Sequence, residues 1–433
     1  MNCRRSALTK EEANKPLSHH PVEEKLTAQK SSESLMVIVG DPSADKHASK
    51  VLKRLKEIEP HLHIFGVGGT EMQKAGVELL FNCNDFAVLG IFEVIKSLFF
   101  FYKMRQTLLK EIKERKPAAL LLVDMGGFNI QFATAARKAY PDLPMYYFIS
   151  PQVWGSRPWR IDVLGKAITK MLTIFPFEEP LYKDKKIDAR FVGHPLLKDL
   201  PEPSTLPNRE EFLAELGLDA KAPVIAILPG SRKQEIKAHM PILIEAVKEL
   251  HKKMPHLQFV FSRSTEKVAP LIDSYLQQSQ LSNLTNGTSP LVKTVSLSPN
   301  YPLYKNVDLI WAKSGTTTLE ITLYGRPMII FYKGNFFSYL LVLLFKCVKH
   351  VGWPNLLAGK LLVPELLQMD FRPDQLVKYS MDLFLVPGLK AEIEKELLTL
   401  RSELGQGDFV ETGAAELLAL TRKKELLTNG ASA

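Results

Sequence analysis

Cysteine is scarce. The 433 residues include three, Cys3, Cys83 and Cys347, far apart and without metal-ligand spacing. So scattered and odd a set supports neither a disulfide framework nor a zinc site, and it fits a reducing cytoplasm. Long hydrophobic runs are missing as well. The longest uncharged apolar stretch, from Phe336 to Phe345, is ten residues, whereas a transmembrane helix needs about 20. At the N-terminus Arg4 and Arg5 are followed by polar sequence containing Glu11, Glu12, Glu23 and Glu24. With no apolar segment there, a signal peptide is not expected, and residues 1–34 read as a disordered extension. The chain also lacks a Walker loop, a His-x-x-x-His pair and a Ser/His/Asp order, so metal and hydrolytic chemistry lose ground.

What is present is an ordinary globular composition, 45% apolar and 24% charged, which excludes a collagenous, coiled-coil or wholly disordered chain. The length allows about three average domains or two larger α/β units. Lys and Arg total 56 against 47 Asp and Glu, a net charge of +9. That excess suits an anionic membrane surface, a nucleotide or a nucleic acid equally well.

From Leu35 onward, short β-rich runs alternate with longer helical stretches. Leu35 to Val39, Ala119 to Val123 and Met145 to Ile149 are nearly continuous apolar runs, the mark of strands buried on both faces of a parallel sheet. A Pro-rich, charged stretch from Leu200 to Pro207 interrupts the pattern and reads as an interdomain linker. The alternation then resumes at Val224 to Leu228, Gln258 to Phe261, Leu309 to Trp311 and Met328 to Phe331. This order predicts two βα domains with a cleft between them: residues 35–199, a linker over 200–222, residues 223–350, and a helical C-terminal segment over 351–433.

Ligands of parallel sheets gather at the carboxyl ends of strands. Four polar or Gly-rich clusters fall there: Gly40 to Asp45, Asp124 to Asn129, Pro229 to Arg232, and Lys313 to Glu320. In the last, Ser314, Gly315 and Thr316 open a helix whose free N–H groups suit a diphosphate, and Glu320 could accept from ribose hydroxyls. A plain N-cap at Ser314 and a capping acid at Glu320 account for the same residues at least as well. Arg232 beside Gly230 could clamp phosphate bidentately, although a lone surface arginine is commoner. Asp124 ends an apolar strand and is the best candidate base, with a helix N-cap as its equal rival. His194 between Gly193 and Pro195 reads chiefly as structural. Residues 91–113 place Ile91, Val94, Ile95, Leu98, Phe99 and Tyr102 at helical spacing, with Phe100 and Phe101 widening the stripe and Lys96, Lys103, Arg105, Lys110 and Lys113 at its border. Core helix and peripheral membrane anchor fit this pattern equally.

Taken together these segments resemble the lipid-A-disaccharide synthase family from about Leu35 to the end of the chain. The resemblance rests on collinear motifs, among them Val88-Leu89-Gly90-Ile91-Phe92-Glu93-Val94, Ile149-Ser150-Pro151-Gln152-Val153-Trp154, Phe175-Pro176-Phe177-Glu178 and Phe191-Val192-Gly193-His194-Pro195. Leu228-Pro229-Gly230-Ser231-Arg232, Ser314-Gly315-Thr316-Thr317-Thr318-Leu319-Glu320 and Pro354-Asn355-Leu356-Leu357-Ala358-Gly359 complete it. It implies a GT-B fold of two Rossmann-like lobes and a metal-independent inverting transfer without cofactor, at the cytoplasmic face of the inner membrane of Gram-negative bacteria. UDP-2,3-diacylglucosamine would be joined to 2,3-diacylglucosamine 1-phosphate, with release of UDP. It further implies a homodimer that exchanges C-terminal segments, an anionic membrane surface as partner, and no nucleic acid. By the resemblance Asp124 is the general base; Ser231, Arg232, Ser314, Gly315, Thr316, Glu320 and Asn355 serve UDP; Ser43, Asp45 and Asn129 form the acceptor loop; and Leu98, Phe99, Phe100 and Phe101 meet the membrane. Two departures fall in the acceptor lobe. Gly40-Asp41-Pro42-Ser43-Ala44-Asp45 stands where the family reads Gly-Glu-Ala-Ser-Gly-Asp, and Gly126-Gly127 replace Pro-Asp in the Asp124 to Asn129 motif. A UDP-sugar epimerase on the same fold and a catalytically impaired lipid-binding relative are the rival readings.

Overall fold

The structure is a computed structural model that describes residues 34–84, 94–286, 289–334, 348–405 and 407–429, with the side chains of 94–98, 286, 289 and 420–429 left aside. The expected extension, residues 88–93 of the first family motif, the apolar run 336–345 and the side chain of Leu98 therefore lie outside the described residues. Among the described residues no helix is long and apolar enough to cross a membrane.

The first lobe is built on β1 (Ser34–Val39), β2 (His63–Gly68), β3 (Glu78–Asn82), β4 (Ala119–Val123), β5 (Met145–Phe148), β6 (Lys170–Thr173) and β7 (Ala189–Phe191). They pair in parallel in the order β3-β2-β1-β4-β5-β6-β7. Leu35 to Val39 and Ala119 to Val123 are almost wholly inaccessible, since helices cover both faces. The second lobe takes β8 (Val224–Leu228), β9 (Gln258–Ser262), β12 (Val292–Val295), β13 (Leu309–Lys313), β14 (Met328–Tyr332) and β15 (Glu365–Leu367). Its order is β12-β9-β8-β13-β14-β15, again all parallel. A two-residue ribbon, β10 (Thr285–Asn286) with β11 (Ser289–Pro290), stands apart. Two Rossmann-like parallel-sheet lobes are the GT-B arrangement.

Both lobe boundaries differ from those read in the sequence. The second sheet runs past residue 350 to Leu367, because β15 is a three-residue edge strand with too little apolar pattern to announce itself. Within the expected linker, the helix Arg209–Glu215 is closed by an Asn208/Glu211 capping box and sinks Phe212 and Leu213 into the second core. The C-terminal helix Phe409–Asn429 returns to the first lobe. Phe409 stacks on Phe148 at 5.1 Å, and Gly413 lies against Val51 of the helix Pro42–Ile58.

Candidate active site

Each sheet reverses its strand order once, between β1 and β4 in the first lobe and between β8 and β13 in the second. The loops leaving these strands diverge and open a crevice at their carboxyl ends. In the second lobe a cavity lies at this place, between the loops leaving β8 and β13; in the first lobe it lies beside it, at the carboxyl ends of β4, β5 and β6.

In the first lobe the cavity is lined by Asp124, Gly127, Ser150, Gln152, Arg157 and Arg160, among others. Asp124 and Met125 both adopt left-handed backbone, φ 45° and 50°, as the chain leaves β4 for the helix Gly126–Ala139. The turn is held by Asn129, fully buried, whose Nδ2 donates to the carbonyls of Val123 (3.1 Å) and Asp124 (3.0 Å), and by the Tyr147 hydroxyl, which also donates to the Asp124 carbonyl. Burial, reinforced by the Asp41 carboxylate, pushes the Asp124 carboxyl up to about 6. Ile149, at the end of β5, is left-handed too, φ 58°, which a β-branched residue rarely tolerates. Such backbone strain concentrates at functional sites.

The wall behind this cavity joins two motifs that are separate in sequence. Glu178, wholly buried, accepts from the Ser150 hydroxyl and Trp154 Nε1 (3.0 Å) through Oε1, and from the Phe175 amide (3.2 Å) through Oε2. Burial lifts its carboxyl to about 7 against those donors. Phe175 in turn stacks on Trp353 of the second lobe at 4.4 Å, which sets the cavity at the lobe junction. His194 is buried beside Phe175, accepts from the Leu196 amide through Nδ1, and is pushed down to about 3 by desolvation, so it is a neutral structural residue.

The second-lobe cavity is lined by Gly230, Ser231, Ser264, Lys313, Gly315 and Thr316, with Asn300 and Thr317 beside them. Gly230 has φ +125°, a conformation that side-chain-bearing residues avoid, and its loop folds over Glu235. Glu235 accepts from the amides of Ser231 (3.0 Å) and Arg232 (3.2 Å) and from Lys313 Nζ (3.2 Å). Burial would raise its carboxyl, but these donors outweigh it and hold the group below the ordinary range. His239, fully buried, bridges the Pro229 carbonyl and the backbone of Lys333. The amide of Ser314 donates to Phe331, whereas those of Gly315 and Thr316 precede the helix Thr317–Leu323 and make no hydrogen bond among the described residues.

Of the residues singled out in the sequence, the structure gathers Ser231, Gly315 and Thr316 at one cavity and Asp124 at the other. Arg232 is at the Ser231 loop with its side chain 81% exposed, leaning toward Glu235 at 3.9 Å. Glu320 faces the Tyr304 hydroxyl (3.3 Å), and burial raises its carboxyl. Asn355 is fully buried and engaged within its own loop, with Val363, Glu365 and Leu362. Asp45 is buried as well and caps the helix Thr70–Lys74 through the amides of Gly69, Glu71 and Met72. Ser43 is exposed in the first turn of the helix Pro42–Ile58, capped by Asp41. Phe100 and Phe101 pack partly against the first-lobe core, while Phe99 is 71% exposed. Glu178, Arg157, Arg160, Glu235, Lys313 and His239 went unnoticed as site residues. Two of them had a sequence signal, Glu178 at the end of a family motif and Lys313 at the head of the cluster that runs to Glu320.

The sequence profile of the family described as lipid-A-disaccharide synthetase matches residues 35–414, nearly the whole described chain. The chain belongs to the lipid-A-disaccharide synthase family. Among its relatives, lipid-A-disaccharide synthase 1 of Legionella pneumophila (strain Paris) is 34% identical over 370 residues, 86% of this chain and 93% of the relative. The lipid-A-disaccharide synthase of Syntrophus aciditrophicus is 32% identical over 394 residues, 91% and 99%. Two solved structures are similar in fold alone. A glycosyltransferase from Rickettsia africae has a TM-score of 0.52 at 12% identity, over 91% of this chain and 99% of that one. UDP-GlcNAc 2-epimerase from Neisseria meningitidis, bound to UDP-GlcNAc, also has a TM-score of 0.52 at 12% identity, over 90% and 99%. This member of the synthase family keeps Asp124, Phe128 and Asn129 of the first-lobe motif, and Asn129 is the residue that holds the Asp124 turn.

Proposed function

We propose that the protein is an inverting glycosyltransferase that joins UDP-2,3-diacylglucosamine to 2,3-diacylglucosamine 1-phosphate through a β(1→6) bond and releases UDP. The observation that carries this reading is Asp124, a carboxyl lifted to about 6 on a strained strand end that opens onto a cavity at the lobe junction. A base of that strength is ionised at neutral pH and still able to accept a proton. Asp124 takes the proton of the acceptor 6-hydroxyl as its oxygen attacks the anomeric carbon. The bond from that carbon to the β-phosphate oxygen breaks on the opposite face, and its electron pair leaves with UDP. Charge growing on the diphosphate is met in the second lobe by the N–H groups of Gly315 and Thr316, by Ser231 and by the exposed Arg232. Glu320 and its Tyr304 partner bind the ribose hydroxyls, and Asn355 shapes the neighbouring loop without touching the nucleotide.

Both substrates carry acyl chains, so the reaction takes place at an anionic surface, the cytoplasmic face of the inner membrane. Phe99 and Tyr102, 71% and 54% exposed, with the exposed Lys103 beside them, form the contact. The active unit is a homodimer. Incubating purified protein with both lipid substrates tests the central claim. Release of one UDP per disaccharide formed is expected. Conversion of the UDP-sugar without acceptor would make the protein an epimerase, and no turnover at all would leave a lipid-binding relative.

A further inference from the structure

Once Asp45 and Asn129 are seen to hold backbone, the acceptor cavity keeps few side chains able to recognise a ligand. Two of them are cations. Arg157 and Arg160 line the same cavity as Asp124, and neither forms an ion pair among the described residues. Elsewhere in this lobe Arg54, Arg115 and Arg190 each hold a carboxylate. The acids near Arg157 and Arg160 in sequence are already engaged, Asp162 with Lys185 (3.1 Å) and Glu178 with Ser150 and Trp154. Asp124 is the acid that shares the cavity, and burial disfavours its charge. Two unpaired guanidinium groups in one concave site, three residues apart around Pro158, make a fork for a tetrahedral dianion.

We propose that Arg157 and Arg160 form an anion subsite that takes the phosphate of a sugar-phosphate acceptor, at the end of the cavity away from its reacting hydroxyl. The proposal deepens the transfer reading above and rests on it. Recognition of the phosphate fixes the sugar so that its other end lies at Asp124, which explains in physical terms why one cavity contains both a weakened carboxylic acid and two free cations. The diphosphate of the nucleotide is the other anion in the reaction, and the second-lobe cavity serves it.

The test compares two acceptors, 2,3-diacylglucosamine 1-phosphate and the same lipid without its phosphate, in wild type and in Arg157→Ala, Arg160→Ala and the double variant. Arg157 is exposed and Arg160 half-buried, so all three variants are expected to fold, as a thermal melt will show. With the phosphorylated acceptor, kcat/KM should fall by about 10-fold or more per arginine, mainly through KM, as for a lost charged hydrogen bond. With the dephosphorylated acceptor it should stay where it was, and Arg→Lys variants should recover part of the loss. UDP affinity should not move. An unchanged preference for the phosphorylated acceptor, an equal loss with both acceptors, or a drop in UDP affinity would each overturn the proposal. A calorimetric titration with detergent-dispersed 2,3-diacylglucosamine 1-phosphate separates this failure from failure of the transfer reading. If wild type releases no UDP, binding that is phosphate-dependent and lost in the double variant still supports the subsite, and binding indifferent to the two arginines sinks it.

Discussion

At the scale of single residues, the chemistry rests on where a carboxyl is placed. Asp124 sits at about 6, above the 3.8 of a free aspartate, because folding strips water from it beside Asp41. Two consequences follow with opposite signs. Since the base must be ionised, kcat/KM should rise with pH through about 6, and Asp124→Asn should abolish that limb while lowering turnover by about 10²-fold or more and sparing UDP affinity. Stability runs the other way. A carboxyl whose folded pKa is raised favours the fold below about pH 4 and loses that contribution as pH rises through about 6. Asp124→Asn should therefore melt above wild type at pH 8 and converge with it near pH 4; a lower melt at pH 8 would deny that the site strains the charge. Asn355 and Arg232 share a family-based assignment to UDP but separate physically. Asn355→Ala leaves the buried Val363 amide without an acceptor, a cost of about 1–3 kcal/mol read as a lower melting temperature. Arg232→Ala, mostly exposed, should leave the melt unchanged and weaken UDP binding by about 1.5 kcal/mol in a titration.

The helix Val94–Arg115 shows what an element can be beyond its stripe of residues. Its apolar face divides along the length. Met104, Leu108 and Ile112 are buried in the first-lobe core, and Phe101 rests on Phe128 at 5.7 Å, while Phe99 and Tyr102 stand out in solvent. Core helix and membrane anchor were equally good readings of one periodic pattern; the turns from Met104 to Ile112 are core, and the anchor reading is confined to the exposed turn of Phe99 and Tyr102. Phe99→Ser should thus reduce sedimentation with anionic vesicles while leaving the melt almost unchanged. Phe101→Ser should lower stability by about 1–3 kcal/mol, since a half-buried ring is lost from a packed aromatic row that runs on to Phe132. Equal sedimentation of wild type and Phe99→Ser would remove this turn from the membrane contact.

At the scale of the whole molecule, residues distant in sequence complete one another. The first-lobe core includes Phe409, Ala414 and Leu417, contributed after the chain has passed through the entire second lobe. Glu416, buried, accepts an ion pair from Lys170 (2.8 Å) and another from Arg190 on the same sheet. Phe409→Ala should destabilise the first lobe by about 3–5 kcal/mol, whereas the second, whose core shares none of these residues, should keep its transition in calorimetry. A uniform downward shift of both transitions would mean that the lobes unfold as one unit.

Much of this architecture was legible in the chain. β1, β4, β5, β8, β13 and β14 are continuous apolar runs because central strands of a parallel sheet are covered on both faces, and such burial leaves a composition that can be read locally. β7 and β15 were not legible, since three-residue edge strands take their order from neighbours rather than from their own side chains. Asp124 could be named because it follows such a run, and the family motifs could be collected, but not what each motif does. Asn355 and Asp45 look like site residues in the sequence, yet in the fold their polar atoms hold loops and helix ends together. Arg157 and Arg160 carry no signal in the sequence and line the cavity that holds Asp124. Sequence alone determined the fold class and the family, which depend on local burial and collinear order. Only the tertiary structure decided which polar side chains are free to meet a ligand, because a hydrogen bond to a distant backbone leaves no trace in the residues beside it.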